Sequence, residues 1–129
     1  MTTAKRRFGD TGEELATRHL VRQGYHLLER GWRVGHLEVD IIAERFGEIV
    51  FVEVKTRRDE VFRTAREAVD HTKQRNLLAA AREYCLTKDL DQPVRFDIIT
   101  VVGAAPPYRL EHIPDAFSAT TYAHAEGRG

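Results

Sequence analysis

The residues most able to do chemistry lie in one stretch, Leu37-Glu-Val-Asp-Ile-Ile-Ala-Glu-Arg-Phe-Gly-Glu-Ile-Val-Phe-Val-Glu-Val-Lys55. In a strand, side chains alternate between the two faces. Glu38, Asp40 and Ile42 therefore share a face, as do Phe51, Glu53 and Lys55. If Phe46-Gly47 is a tight turn with Arg45 opposite Glu48, then Ile42 meets Phe51, Asp40 meets Glu53 and Glu38 meets Lys55. The other face collects Leu37, Val39, Ile41, Ala43, Val50, Val52 and Val54, all apolar. A slip of one residue would mix the faces. A longer, bulged loop would give the same pairing. Opposed side chains have Cβ atoms about 5 Å apart. Carboxylates that close repel unless a shared proton, a lysine or a cation compensates them. Lys55 alone cannot neutralise Glu38, Asp40 and Glu53 together, so the pattern favours a divalent cation, and hard oxygen donors suit Mg²⁺ or Mn²⁺. Charge alternation also arises on a merely solvated strand face. The Asp40–Glu53 pairing beside a strand apolar on both faces argues against that here.

The elements that must position these residues follow from periodicity and punctuation. A helix is expected from Gly9-Asp-Thr-Gly-Glu13, capped by Asp10 with Glu13 or by Thr11 with Glu14, and ended by Gly24. Met1 to Phe8 reads as a basic, frayed arm. Strands are expected over Tyr25–Arg33, Leu37–Glu44 and Glu48–Thr56, the last one central because Ile49-Val-Phe-Val52 is apolar on both faces. Thr64 to Leu86 reads as a long helix, with Ala65, Ala68, Val69, Thr72, Leu77, Ala80, Ala81 and Tyr84 on its buried side. A strand over Val94–Val102, a Pro-rich loop and a short edge strand over Tyr108–Ile113 complete the order. The tail from Ser118 is expected to be loose. The sum is one α/β domain over residues 1–129, with its core from about 8 to 117.

The 129 residues carry 20 basic and 20 acidic side chains. That balance gives no basic footprint of the kind a strong non-specific nucleic-acid binder shows. No apolar run is long enough to span a bilayer, and the N-terminus lacks the apolar stretch of a secretory signal. A single cysteine, Cys85, fits a reducing, cytoplasmic setting. The histidines show no zinc-ligand spacing. There is no phosphate-binding glycine loop and no nucleophile triad.

Asp40 followed by Glu53-Val-Lys55 in a central strand resembles the PD-(D/E)xK nuclease superfamily. The chain as a whole resembles the YraN-like family of uncharacterised bacterial proteins, through Gly12-Glu13, Glu38-Val-Asp40, Phe51-Val-Glu-Val-Lys-Thr-Arg57, Glu67-Ala-Val69 with Lys73, Arg95-Phe-Asp97 and His112-Ile-Pro-Asp-Ala-Phe117. The family is similar in its core to archaeal Holliday junction resolvases. The resemblance implies a restriction-endonuclease-like α-β-β-β-α-β core, a mixed central sheet flanked by helices. It further implies a metal-dependent endonuclease cutting DNA, branched or structured forms included, and working as a homodimer. Asp40, Glu53 and the Val54 carbonyl would hold Mg²⁺ or Mn²⁺, Lys55 would orient the attacking water, and Glu13 would complete the catalytic set. Two positions depart from the family pattern: Leu37 stands where glycine is usual, and Phe62-Arg63 where Phe-Gly is usual. Both neighbour the site without removing a ligand. A non-catalytic nucleic-acid-binding module with the same fold is the alternative, although a pure binder would not need the Asp40, Glu53, Lys55 set. No residue separates DNA from RNA as the substrate.

Other residues have competing roles. Glu13 is equally a capping residue, and Glu38 a salt-bridge partner of Lys55. Asp97, in an apolar strand, reads as a structural hydrogen-bonding group. Arg57, Arg58, Lys73, Gln74 and Arg33 are candidate nucleic-acid contacts, as are Arg63, Arg66 and Arg75, since a nuclease needs phosphate contacts near its site. Trp32 reads as a core residue rather than a base-stacking platform.

Overall fold

The computed structural model describes residues 3–58 and 70–117. The elements are α1 (Thr3–Arg22), β1 (His26–Val34), β2 (Leu37–Arg45), β3 (Glu48–Arg57), α2 (His71–Lys88), β4 (Val94–Val102) and β5 (Arg109–Phe117). They form a five-stranded sheet in the order β1-β2-β3-β4-β5. Only β3 and β4 pair in parallel, with α2 in the crossover between them; the other neighbours are antiparallel. The α-β-β-β-α-β order of a restriction-endonuclease-like core is present, with β5 added at the edge.

The central position of β3 follows from its composition. Ile49 and Phe51 enter a core with Leu77, Ala80, Ala81 and Tyr84 of α2. Val50 and Val52 enter a second core with Ala16 and Leu20 of α1. The helices therefore cover opposite faces, and β3 is buried against both. Full burial of each such side chain stabilises the fold by about 1.5–3 kcal/mol.

Three expectations about the helices need correction. The segment read as a frayed arm is helical from Thr3 onward, so Asp10 and Thr11 lie inside α1 and do not cap it. Ala4, Lys5, Arg6 and Arg7 are good helix formers, and they carry the helix past Gly9. Gly24 does end α1: at φ 90° it is left-handed, and Gly24 N–H bonds to Val21 O while Tyr25 N–H bonds to Leu20 O, a Schellman closure. The second helix starts at His71, because Asp70 is extended and accepts the Lys73 N–H at 2.9 Å as an N-cap. Thr72 is consequently exposed rather than buried. Residues 64–69 of the expected helix, the tail from Ser118, and Phe62, Arg63 and Arg66 lie outside the described residues. The last strand extends to Phe117, beyond the expected Ile113.

The β2–β3 hairpin keeps the expected register. Arg45 faces Glu48 and Ile42 faces Phe51. Phe46 and Gly47 turn with φ 53° and 79°, the two positive values of a type I′ turn. The regular ladder runs to Ile41 opposite Val52. Beyond it β2 stays paired with β1 as far as Leu37 but leaves β3. This departure overturns two expectations: Asp40 is not paired with Glu53 in the ladder, and Val39, with Leu37 against it, packs in the α2-side core instead of sharing a face with Ile41 and Ala43.

Candidate functional site

The point where β2 parts from β3 is where the charged residues meet. Asp40 does not continue the backbone ladder. Its Oδ2 instead accepts the Val54 N–H at 2.8 Å, replacing the backbone acceptor that β2 would otherwise offer. The N–H and C=O of one strand residue point to the same neighbour, so the Val54 carbonyl also lies on the Asp40 side of β3.

Glu53 is only 3% exposed. Its Oε2 lies 3.3 Å from Lys55 Nζ and 3.4 Å from Lys73 Nζ at the start of α2. Its Oε1 is buried and has no hydrogen-bond partner among the described residues. A buried carboxylate oxygen without a partner is costly. Asp40 is pushed up to about 7, first by burial and then by the Glu53 charge, with the Val54 hydrogen bond and Lys73 pulling the other way. Near neutral pH Asp40 therefore still carries its proton in a large share of the molecules. A divalent cation bound between Asp40 and Glu53 would displace that proton.

The donor set fits such a cation. Asp40 and Glu53 offer hard oxygens, Glu53 Oε1 is unclaimed among the described residues, and the Val54 carbonyl lies alongside. Among the described residues no group of three or more His, Cys, Asp or Glu side chains is placed to hold a metal. The two carboxylates would therefore leave much of the coordination to water and the backbone, which Mg²⁺ tolerates.

The remaining candidates divide. Lys73 reaches the site directly. Gln74, half-buried, follows it in the first turn of α2. Glu13 is half-buried on α1, the helix on the other face of the sheet. It follows Gly12, on which a Cβ would overlap Thr56 Cγ2 and meet Val101. The middle of α1 is thus held against the end of β3 that carries Lys55, and Glu13 lies within the helix there rather than at its cap. Glu38 does not pair with Lys55. Because β2 has left β3 there, Glu38 pairs across β1 with Arg33 at 3.3 Å, both exposed. Arg57 and Arg58 are exposed at the end of β3, with Arg57 Nη1 donating to Thr56 O at 3.1 Å. Arg75 is exposed on α2. Trp32 packs edge-on against Tyr84 at 5.2 Å between ring centroids, a core contact as expected.

Asp97 is structural, as its setting suggested. It is 1% exposed and accepts from Arg95 Nε and Nη2, both at 2.8 Å, and from Asp115 N–H at 2.9 Å. These partners outweigh burial and hold its carboxyl below the usual range. His112 Nε2 lies 2.7 Å from Asp97 Oδ2, and His112 Nδ1 lies 3.0 Å from His19 Nε2. This network ties β4 and β5 to α1. The two histidines are 93 residues apart, and no spacing in the sequence brings them together.

A sequence profile of the uncharacterised protein family UPF0102 matches residues 12–101. The chain belongs to this family. It is 46% identical over 109 residues to a UPF0102 protein of Bacteroides fragilis, an alignment covering 84% of this chain and 90% of the relative. A UPF0102 protein of Nitratidesulfovibrio vulgaris is 40% identical over 121 residues, covering 93% and 90%. One from Flavobacterium psychrophilum is 39% identical over 109 residues, covering 84% and 92%. The family match spans Gly12, Glu13, Asp40, Glu53, Lys55, Lys73 and Asp97, so every element that builds the site lies within the shared segment. Among the described residues no helix is long and apolar enough to cross a membrane.

Proposed function

We propose that this UPF0102 protein is a metal-dependent nuclease that hydrolyses phosphodiester bonds in DNA, structured DNA included. The observation that carries the reading is Glu53. Its buried carboxylate presents an oxygen that has no partner among the described residues, beside an Asp40 whose carboxyl is pushed up to about 7, and its other oxygen is held by two lysines. A fold does not need such an arrangement for stability, and it costs the metal-free protein free energy.

Asp40, Glu53 and the Val54 carbonyl would hold Mg²⁺ or Mn²⁺. When bound, the ion supplies Lewis acidity at the phosphate and lowers the pKa of a coordinated water. Lys55, less than a quarter exposed at 24%, places an ammonium beside the carboxylate. There it orients the attacking water and stabilises the charge that gathers on the phosphate oxygens in the transition state. The walls of β3 and α2 hold Lys55 and Glu53 in place before substrate arrives, which limits reorganisation during the reaction.

The test is a cleavage assay with Mn²⁺ or Mg²⁺ on labelled single-stranded, duplex, flap and four-way-junction DNA. Glu53→Gln is expected to abolish cleavage and to remove the Mn²⁺-induced rise in melting temperature, while the metal-free circular dichroism spectrum stays native. Full activity in Glu53→Gln would refute the site. Binding without cleavage by the unmodified protein would favour a non-catalytic nucleic-acid-binding module.

A further inference from the structure

An open cleft of about 230 Å³ adjoins the carboxylates, lined by Lys55, Asp70, Thr72, Lys73 and Asn76. We propose that it seats a backbone phosphate of the nucleic acid, one next to the phosphate under attack; the inference rests on the nuclease reading of the neighbouring site.

The lining is rich in donors from two elements. Lys55 comes from β3. Thr72, Lys73 and Asn76 come from the first turns of α2, and Thr72 and Asn76, four residues apart, share a helix face. Asp70 also lines the cleft, but its carboxylate is engaged at the helix start, where Oδ1 accepts the Lys73 N–H at 2.9 Å. Thr72 Oγ1 accepts from Arg75 Nη2 at 3.5 Å, which leaves its own hydroxyl proton to donate.

The charge pattern of α2 supports an anion here. Its first turn holds no acidic residue and does hold Lys73. Cations at a helix N-terminus oppose the macrodipole, whereas a bound anion complements it. Lys73 thus opposes the helix dipole at the end that faces the cleft, while the Asp70 carboxylate at the N-cap complements it. As the protein stands, both ammoniums share Glu53 Oε2. Once Glu53 and Asp40 hold a cation, Lys73 is released toward the cleft while Lys55 stays at the attacked phosphate. Cation and phosphate binding therefore reinforce one another, and by linkage each raises the affinity of the other equally.

Thr72→Asp separates binding from folding. Thr72 is exposed, and an acid in the first turn favours the helix while repelling a phosphate. Asn76→Ala removes a donor without adding charge, and Leu86→Glu, at a position 66% exposed on the last turns of α2, controls for added negative charge. Affinity for a short labelled single-stranded DNA is measured by fluorescence anisotropy, in EDTA and in Ca²⁺. Loss of one charge-assisted contact corresponds to about tenfold in affinity. Thr72→Asp is expected to bind at least about tenfold more weakly while melting at or above the wild-type temperature. Asn76→Ala should bind more weakly, Leu86→Glu like wild type, and Ca²⁺ should tighten binding of wild type more than of Thr72→Asp. In Mn²⁺, Thr72→Asp should raise KM by a larger factor than it lowers kcat. Wild-type affinity and KM in both Thr72→Asp and Asn76→Ala would overturn the cleft and leave the nuclease reading standing. Weakened binding in these variants with no cleavage by wild type would keep the cleft and remove the nuclease. Equal weakening by Leu86→Glu would overturn the cleft as a localised site.

Discussion

Asp40→Asn should make the metal-free protein more stable at alkaline pH, and the gain should disappear on acidification. Asp40 is raised from 3.8 to about 7, chiefly by burial and by Glu53. In the folded state it keeps its proton up to about neutrality, whereas in the unfolded chain it releases it near pH 4. Between those values the folded state binds the extra proton, so wild-type stability falls as pH rises through this window. At 1.36 kcal/mol per pH unit, the penalty above pH 7 reaches at most about 4 kcal/mol. Asparagine retains an oxygen to accept the Val54 N–H and carries no charge. Urea unfolding in EDTA, followed by the fluorescence of Trp32, should therefore show Asp40→Asn about 2–4 kcal/mol more stable than wild type at pH 8, with the difference closing by pH 4. Groups common to both proteins cancel in that difference. Adding Mn²⁺ at pH 8 should raise the stability of wild type more than that of the variant, because the cation replaces the missing compensation only where both carboxylates remain. A difference that does not change with pH, or a less stable variant at pH 8, would refute the reasoning that Asp40 is held protonated in a costly site.

Asp97→Asn should behave in the opposite sense and cost about 3–5 kcal/mol at pH 7, because it leaves Arg95, 15% exposed, without its buried carboxylate partner; an unchanged urea midpoint would contradict the network. Asp97 is held below its usual range, so its contribution is present above about pH 4 and is lost as pH falls through the folded-state value, which acid titrations of wild type and variant should separate. Gly12→Ala should destabilise by about 1–3 kcal/mol, since its Cβ would overlap the Thr56 methyl and overpacking outweighs the gain in helix propensity. Thr56→Ser removes that methyl and should recover part of the loss in the double variant; strict additivity of the two changes would show that they are not in contact.

Much of the fold was legible because it is encoded locally. The alternation around the Phe46-Gly47 turn set the β2–β3 register as far as Ile41 and Val52, and the doubly apolar Ile49–Val52 run put β3 at the centre of the sheet. Gly24 marked the end of α1. The start of α1 was misplaced because glycine and aspartate at residues 9 and 10 mimic a helix start, yet the helix-forming residues before them extend it. The start of α2 was misplaced because Asp70 interrupts a pattern whose apolar spacing gives no sign of a cap. At the site, Asp40, Glu53 and Lys55 were identifiable from residue type and spacing. The partner of Glu38 was not, since the register extrapolated past the point where β2 leaves β3.

The residues from Leu37 to Lys55 by themselves determined that two carboxylates and a lysine would converge at one end of a central hairpin, because strand periodicity and a tight turn act over neighbouring residues. Tertiary structure alone decided how their charges are compensated. The separation of β2 from β3 turned Asp40 onto the Val54 N–H. The crossover of α2 brought Lys73 onto Glu53, and the packing of α1 against β5 joined His19 to His112 and Asp97. These contacts depend on where whole elements dock. Docking is driven by burial of apolar faces, and it is indifferent to which polar side chains it brings within reach of one another.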